Sequence, residues 1–151
     1  MAVVETSSSL FHSPYAGDTV PDPVLRAGRV ILATGSVSNA ADDNNLSMYH
    51  LADLPADCLL HEDTFFDVTN LGFADVRIGT RDTVDALVSQ TQASENLITP
   101  VAQGDANHGK HLWEVLGMAA DPGGWIALYQ HAVADAASAG SMKFRFAYLY
   151  H

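Results

Sequence analysis

Asp105, His108 and His111 stand at a spacing that suits a metal ion, because histidines three residues apart can share one helical face and one ligand sphere. Gly109 lies between them, however, and Gly104 and Asn107 make the surroundings a loop tip, so the segment reads as solvated loop. Asp42-Asp43-Asn44-Asn45 offers the oxygens that calcium takes, yet lacks the alternate ligand spacing, the glycine and the distant glutamate of a calcium loop. It reads as a solvated turn. Glu62 and Asp63 with Asp67 could supply the two carboxylates of glycoside hydrolysis, which need a cleft and a separation that only a fold can set. His50 and His61 fall in neighbouring strand candidates and read as half-buried, hydrogen-bonded side chains.

Nucleophiles fare no better. Cys58 is the single cysteine and has only His61 near it in sequence. An activated thiol needs a base or positive charge beside it, whereas an unactivated cysteine is a small buried hydrophobe, and the apolar Cys58-Leu59-Leu60 run favours the latter. Ser138 has Gly140 two residues after it but Ala136 two before, and a strand rather than a helix follows, so it forms no nucleophile elbow. No glycine-rich phosphate loop is present. The chain is therefore expected to be no enzyme and to need no metal, nucleotide or other cofactor. Trp113, Trp125, Tyr129, Phe144, Phe146 and Tyr148 could line a sugar-binding face. Their alternation with small and aliphatic residues suits a sandwich core better.

The elements that would carry these side chains are mostly short strands. Val30-Ile31-Leu32 opens one that ends near Gly35, followed by a polar loop from Ser36 to Asn45. Leu46–Leu51, Cys58–His61, Phe65–Val68 and Ala74–Gly79 follow, separated by turns at Pro55–Asp57 and Asn70–Gly72. Asp82–Gln92 fits a helical face or a strand, and so does Lys110–Leu116. Gln90–Gly109 is mostly loop, anchored by Leu97, Ile98 and Val101. Asp121-Pro122-Gly123-Gly124 is a strong turn, and Trp125–His131 is a strand. Met142–Tyr150 is the most regular strand, with Met142, Phe144, Phe146, Tyr148 and Tyr150 on one face. That face is expected to bury against Trp125, Ile126 and Leu128. Seven or eight such strands with frequent turns predict an all-β chain, an antiparallel sandwich or barrel.

Residues 1–28 differ. Pro14, Pro21 and Pro23 oppose helix and central strand alike, and no periodicity is sustained. The segment is expected to be an extended N-terminal arm ahead of a β-sandwich domain over residues 29–151. Its apolar residues Phe11, Tyr15, Val20, Val24 and Leu25 are more apolar surface than a free linker needs, and mark an arm that docks on a capsid or a neighbouring subunit.

Composition bounds the partners. The 151 residues carry 18 acidic against 7 basic side chains, a net charge of −11 with no basic run. Such a chain is not built to hold phosphate backbones, so nucleic acid is excluded as a partner. No run of about 18 apolar residues exists to span a membrane, and Met1–Leu10 does not read as a secretory signal, so a protein made in a cytoplasm is expected. The charged fraction of 17% is low, against roughly 25% in ordinary soluble domains. Surface short of charge suits a protein whose faces become covered.

The stretches Gly104–Gly109, Leu112–Gly117 and Ala120-Asp121-Pro122, then Ala137–Ser141 and the closing aromatic strand, together resemble the small head decoration or cement proteins of tailed phages. The middle, from Gly35-Ser36-Val37 through the acidic loop to Ala74–Gly79, is similar in style. The resemblance spans roughly Gly35 to Tyr150. It implies a jelly-roll-like β-sandwich body, the major capsid protein as partner, and assembly as a homo-oligomer. It also implies a place on the outside of a virion, where the protein stabilises contacts between capsid subunits. A carbohydrate- or receptor-binding sandwich of a phage tail or fibre is the alternative.

Overall fold

The computed structural model describes residues 29–150. Nine strands and one helical turn follow in chain order: β1 (Arg29–Asn39), β2 (Met48–Pro55), β3 (Leu59–Leu60), β4 (Phe65–Asp67), β5 (Asp75–Gly79), β6 (Val88–Thr91), β7 (Leu97–Ile98), α1 (Leu112–Val115), β8 (Trp125–His131) and β9 (Gly140–Tyr150). They form two antiparallel sheets. One has the order β1-β9-β4-β7, with β3 also on β9, and the other β2-β8-β5-β6. With the short β3 set aside, the eight remaining strands lie first-eighth-third-sixth in one sheet and second-seventh-fourth-fifth in the other. That interleaving is the double Greek key of a jelly roll. The all-β sandwich expected from the sequence is the observed fold.

β9 is the central strand. Along its whole length it pairs with β1, from Arg29 opposite Tyr150 to Asn39 opposite Gly140. Its other edge is shared by β3, opposite Tyr148 and Leu149, and by β4, opposite Lys143 to Arg145. Between those two short strands the Ala147 carbonyl accepts from the His61 N–H at 2.8 Å, but the Ala147 N–H would lack a partner. Thr64 fills the gap: its buried hydroxyl donates to the Ala147 carbonyl at 2.9 Å and accepts from the Ala147 N–H at 3.0 Å.

The period-two pattern of β9 turns Met142, Phe144, Phe146 and Tyr148 inward, all at most 8% exposed. Phe146 meets Phe66 edge-on with ring centroids 5.4 Å apart, and Phe144 at 5.6 Å. Across the strand pair the Phe144 ring lies over Gly35, where an added Cβ would come within 2.7 Å of it. The opposite sheet supplies Leu54, Val76, Ile78, Ile126 and Leu128 to the same core.

Four expectations need correction or resolution. β1 does not stop at Gly35 but runs to Asn39, because Val37 packs against the core and the Asn39 amide closes the end of the sandwich. Asn39 donates to the Ser138 carbonyl at 2.8 Å and accepts from Gly72 N–H at 3.0 Å. Within Asp82–Gln92 only Val88–Thr91 is regular, as strand. Lys110–Leu116 resolves to one helical turn with Leu112 and Val115 buried, the spacing-of-three alternative. Trp125 does not cover the aromatic face of β9. Alternation in β8 turns Ile126, Leu128 and Gln130 inward, so Trp125 points out and is 66% exposed.

Candidate interaction surface

The fold separates most of the side chains singled out for chemistry and brings His61, Glu62 and His108 to one cleft. The Asp105 carboxylate accepts from the N–H groups of Ala102 and Asn107, each at 2.7 Å, and these bonds hold it below the usual carboxylate range. His111 donates from Nδ1 to the Asp57 carbonyl at 2.6 Å, while Glu114 accepts from the His111 N–H at 2.9 Å. His108 lines a cleft instead. Asp43 accepts from the Tyr49 hydroxyl first and from Ala40 N–H second, which lower its pKa, and Asn44 accepts from Leu46 N–H. These are turn-closing bonds. His50 lies 3.0 Å from Asp53 in β2, whereas His61 follows β3 in the other sheet and accepts from Asp63 N–H at 3.2 Å. Asp67 is occupied by Thr69. Among the described residues no three His, Cys, Asp or Glu side chains converge on a point where a metal could sit. The Cys58 thiol has no exposed surface and is pushed up to about 12, by burial first and the Asp57 charge second.

What the fold assembles is a surface. Residues of β9 that alternate with its aromatic face point out of the sandwich, and in register Val30, Leu149 and Leu59 form one apolar row across β1, β9 and β3. Leu32 lies opposite Ala147 in the next outward row. Val30 is 47% and Leu32 55% exposed. The row runs into a cleft of about 280 Å³ over Leu59 and Leu149, walled by His61, Glu62, Gln103 and His108. Three distant segments build it, which hides it from a sequence reading. One signal was legible: Val30-Ile31-Leu32 is apolar on both faces of its strand, and a strand exposed on one side should alternate.

The outer face of the second sheet is more polar. Tyr129 stacks with His50 at 5.0 Å and carries the Arg81 guanidinium at 5.7 Å from its ring centre. His131 donates to the Thr80 carbonyl at 2.9 Å. Trp125 and Tyr129 point outward while Phe144, Phe146 and Tyr148 point inward, so the aromatics do not share one sugar-binding face. Phe11, Tyr15, Val20, Val24 and Leu25, the expected arm contacts, lie outside the described residues. No helix among the described residues is long and apolar enough to cross a membrane.

The fold thus defines a jelly roll with an apolar outer row and a shallow cleft. No family model matches the chain, and no curated protein does. A chain of the cyanophage Pam1 capsid asymmetric unit shares its fold, with a TM-score of 0.51 and 14% sequence identity over 97% of this chain and 98% of that chain.

Proposed function

We propose that this protein is a structural component of a phage virion. In this reading it binds the outside of the capsid and stabilises contacts between major capsid protein subunits. The observation that carries the reading is the near end-to-end correspondence with a chain of the Pam1 capsid asymmetric unit, 97% of one against 98% of the other.

The chemistry of the surface supports it. Asp43, Asp67 and Asp105 accept the hydrogen bonds that close their turns, Cys58 is buried, and the exposed apolar row is suited to burial against protein. A net charge of −11 keeps the chain off nucleic acid and suits an outer surface. The proposed role is therefore non-catalytic, with the capsid surface as location and the host cytoplasm as the place of synthesis. Exposed Val30 and Leu32 would contribute to shell or subunit contacts at roughly 25 cal/mol per Å² covered.

The test is stoichiometry with binding. Purified particles should contain this chain in copy numbers comparable to the major capsid protein, and the isolated protein should co-sediment with undecorated shells. A few copies per particle, with no binding to shells, would sink this reading and favour the tail or fibre module.

A further inference from the structure

Among the described residues β1 pairs with β9 alone, so it is the edge of its sheet. The edge is 11 residues long and carries one charged residue, Arg29, with no proline and no lysine. Natural edges are blunted by such residues, by bulges or by a covering segment, because unpaired N–H and C=O groups invite another strand. Here the register to β9 is also unbroken, with no bulge. Exposure at this edge is two-sided. Val30 and Leu32 on the outer face are 47% and 55% exposed, and Ile31 on the core face is 38% exposed. An added strand would cover both faces of the edge and pair its free N–H and C=O groups together.

The chain contains a segment suited to this place. In an extended segment, the N–H and C=O of one residue point to one side and those of the next to the other. In Thr19-Val20-Pro21-Asp22-Pro23-Val24-Leu25, the donors of Val20, Asp22 and Val24 therefore share one edge. Pro21 and Pro23 fall on the opposite edge, where each removes a donor. Each proline also drives the residue before it, Val20 and Asp22, to extended backbone. Such a strand can join a sheet on one side and cannot be joined on the other. It ends four residues before Arg29 in sequence, and the exposed triplet begins at Val30.

We propose that the Val20–Val24 segment of one copy adds as an edge strand to β1 of a second copy, and that Pro21 and Pro23 terminate the growth of the sheet. Pairing with the chain's own β1 would require a reversal within Leu25–Gly28, whereas pairing in a second copy requires none. The inference concerns subunits in solution and stands apart from the capsid reading, so either can fail alone.

The experiment uses the full-length chain, with mass measured by light scattering over a concentration series and amide exchange followed along β1. The unaltered protein should form a discrete oligomer, with exchange at alternate β1 amides slowed by about 100-fold relative to the single chain. Val20→Pro with Val24→Pro removes donors from the pairing edge, and should return the mass to a single chain and release those amides. Pro21→Thr with Pro23→Thr restores donors to the outer edge and should drive assembly beyond the original oligomer. A single-chain mass for the unaltered protein at every concentration would overturn the proposal, and protected β1 amides in that monomer would assign the edge to the chain's own arm. An oligomer whose mass survives the proline insertions would overturn it as well. Absence of growth after the threonine substitutions would overturn the terminating role.

Discussion

Cys58 and Tyr49 hold their protons for reasons visible around each. Cys58 has no exposed surface, and burial with the nearby Asp57 charge pushes its thiol up to about 12 from 9.0. Burial, then the Asp43 carboxylate that accepts its hydroxyl, pushes Tyr49 up to about 12 from 10.0. The thiolate is the reactive form, so the native protein should not react with an aromatic disulfide reagent near neutral pH. One thiol should appear on unfolding. The linkage sign follows from the raised values. In the unfolded chain both groups lose protons at their ordinary pKa, while in the folded chain they keep them to about 12. Their contribution to stability is complete below about pH 9 and is lost as the pH climbs toward 12. Melting temperatures recorded from pH 8 upward should therefore be level at first and then fall, while a level melting temperature throughout would contradict the assignment. The burial of Cys58 was legible from the apolar run around it. The pairing of Tyr49 with Asp43 was not, because Asp43 lies in a loop whose polar residues all look alike until the turn closes.

At the scale of elements, β9 carries the sheet and depends on unequal neighbours. Thr64→Val keeps the shape of the side chain but leaves the Ala147 N–H without a partner in the interior. A buried orphan of this kind costs about 1–3 kcal/mol. The denaturant midpoint should fall with the slope unchanged, and Thr64→Ser should keep most of the stability because it keeps the hydroxyl. Phe146→Ala removes the ring that meets both Phe66 and Phe144, and should cost about 3–5 kcal/mol by the same measurement. Strands with strict alternation were readable from sequence: β5, β8 and β9 fall within a residue or two of their expected spans. The far half of β1 was not, because Ser36 and Ser38 face outward and Gly35 makes room for the Phe144 ring, a composition that by itself signals loop. Trp125 was misplaced for a related reason. A large aromatic suggests the core, but the phase of its strand is fixed by Ile126 and Leu128, and phase outweighs size. Thr64 left no local mark at all, since its role exists only because β3 and β4 stop short of each other across from Ala147.

The whole molecule is built from distant pairings. The interleaved sheet order could be anticipated as a class, from many short strands and turns, but not as a path, because each strand offers several equivalent partners. The apolar row and its cleft share that origin, drawing on β1, β3, β9 and the loop before α1. The same topology sets how the body should answer to force. Arg29 stands opposite Tyr150, so the two ends of the described chain leave from one end of the β1–β9 pair, and Asn39 opposite Gly140 lies at the other. Antiparallel hydrogen bonds run perpendicular to their strands. Tension applied between residues 29 and 150 would peel the two longest strands apart one pair at a time, like a zip. Tension between residue 29 of β1 and residue 140 of β9, which stand at opposite ends of the pair, roughly 33 Å apart along the strands, would pull the two strands past each other and load many bonds at once in shear. Single-molecule stretching should give a low rupture force through the first pair of handles and a clearly higher one through the second. Equal forces would mean that β1 and β9 are not what holds the body closed. A body held at residues 29 and 150 would then part most easily between its two longest strands, and resist best when pulled along them.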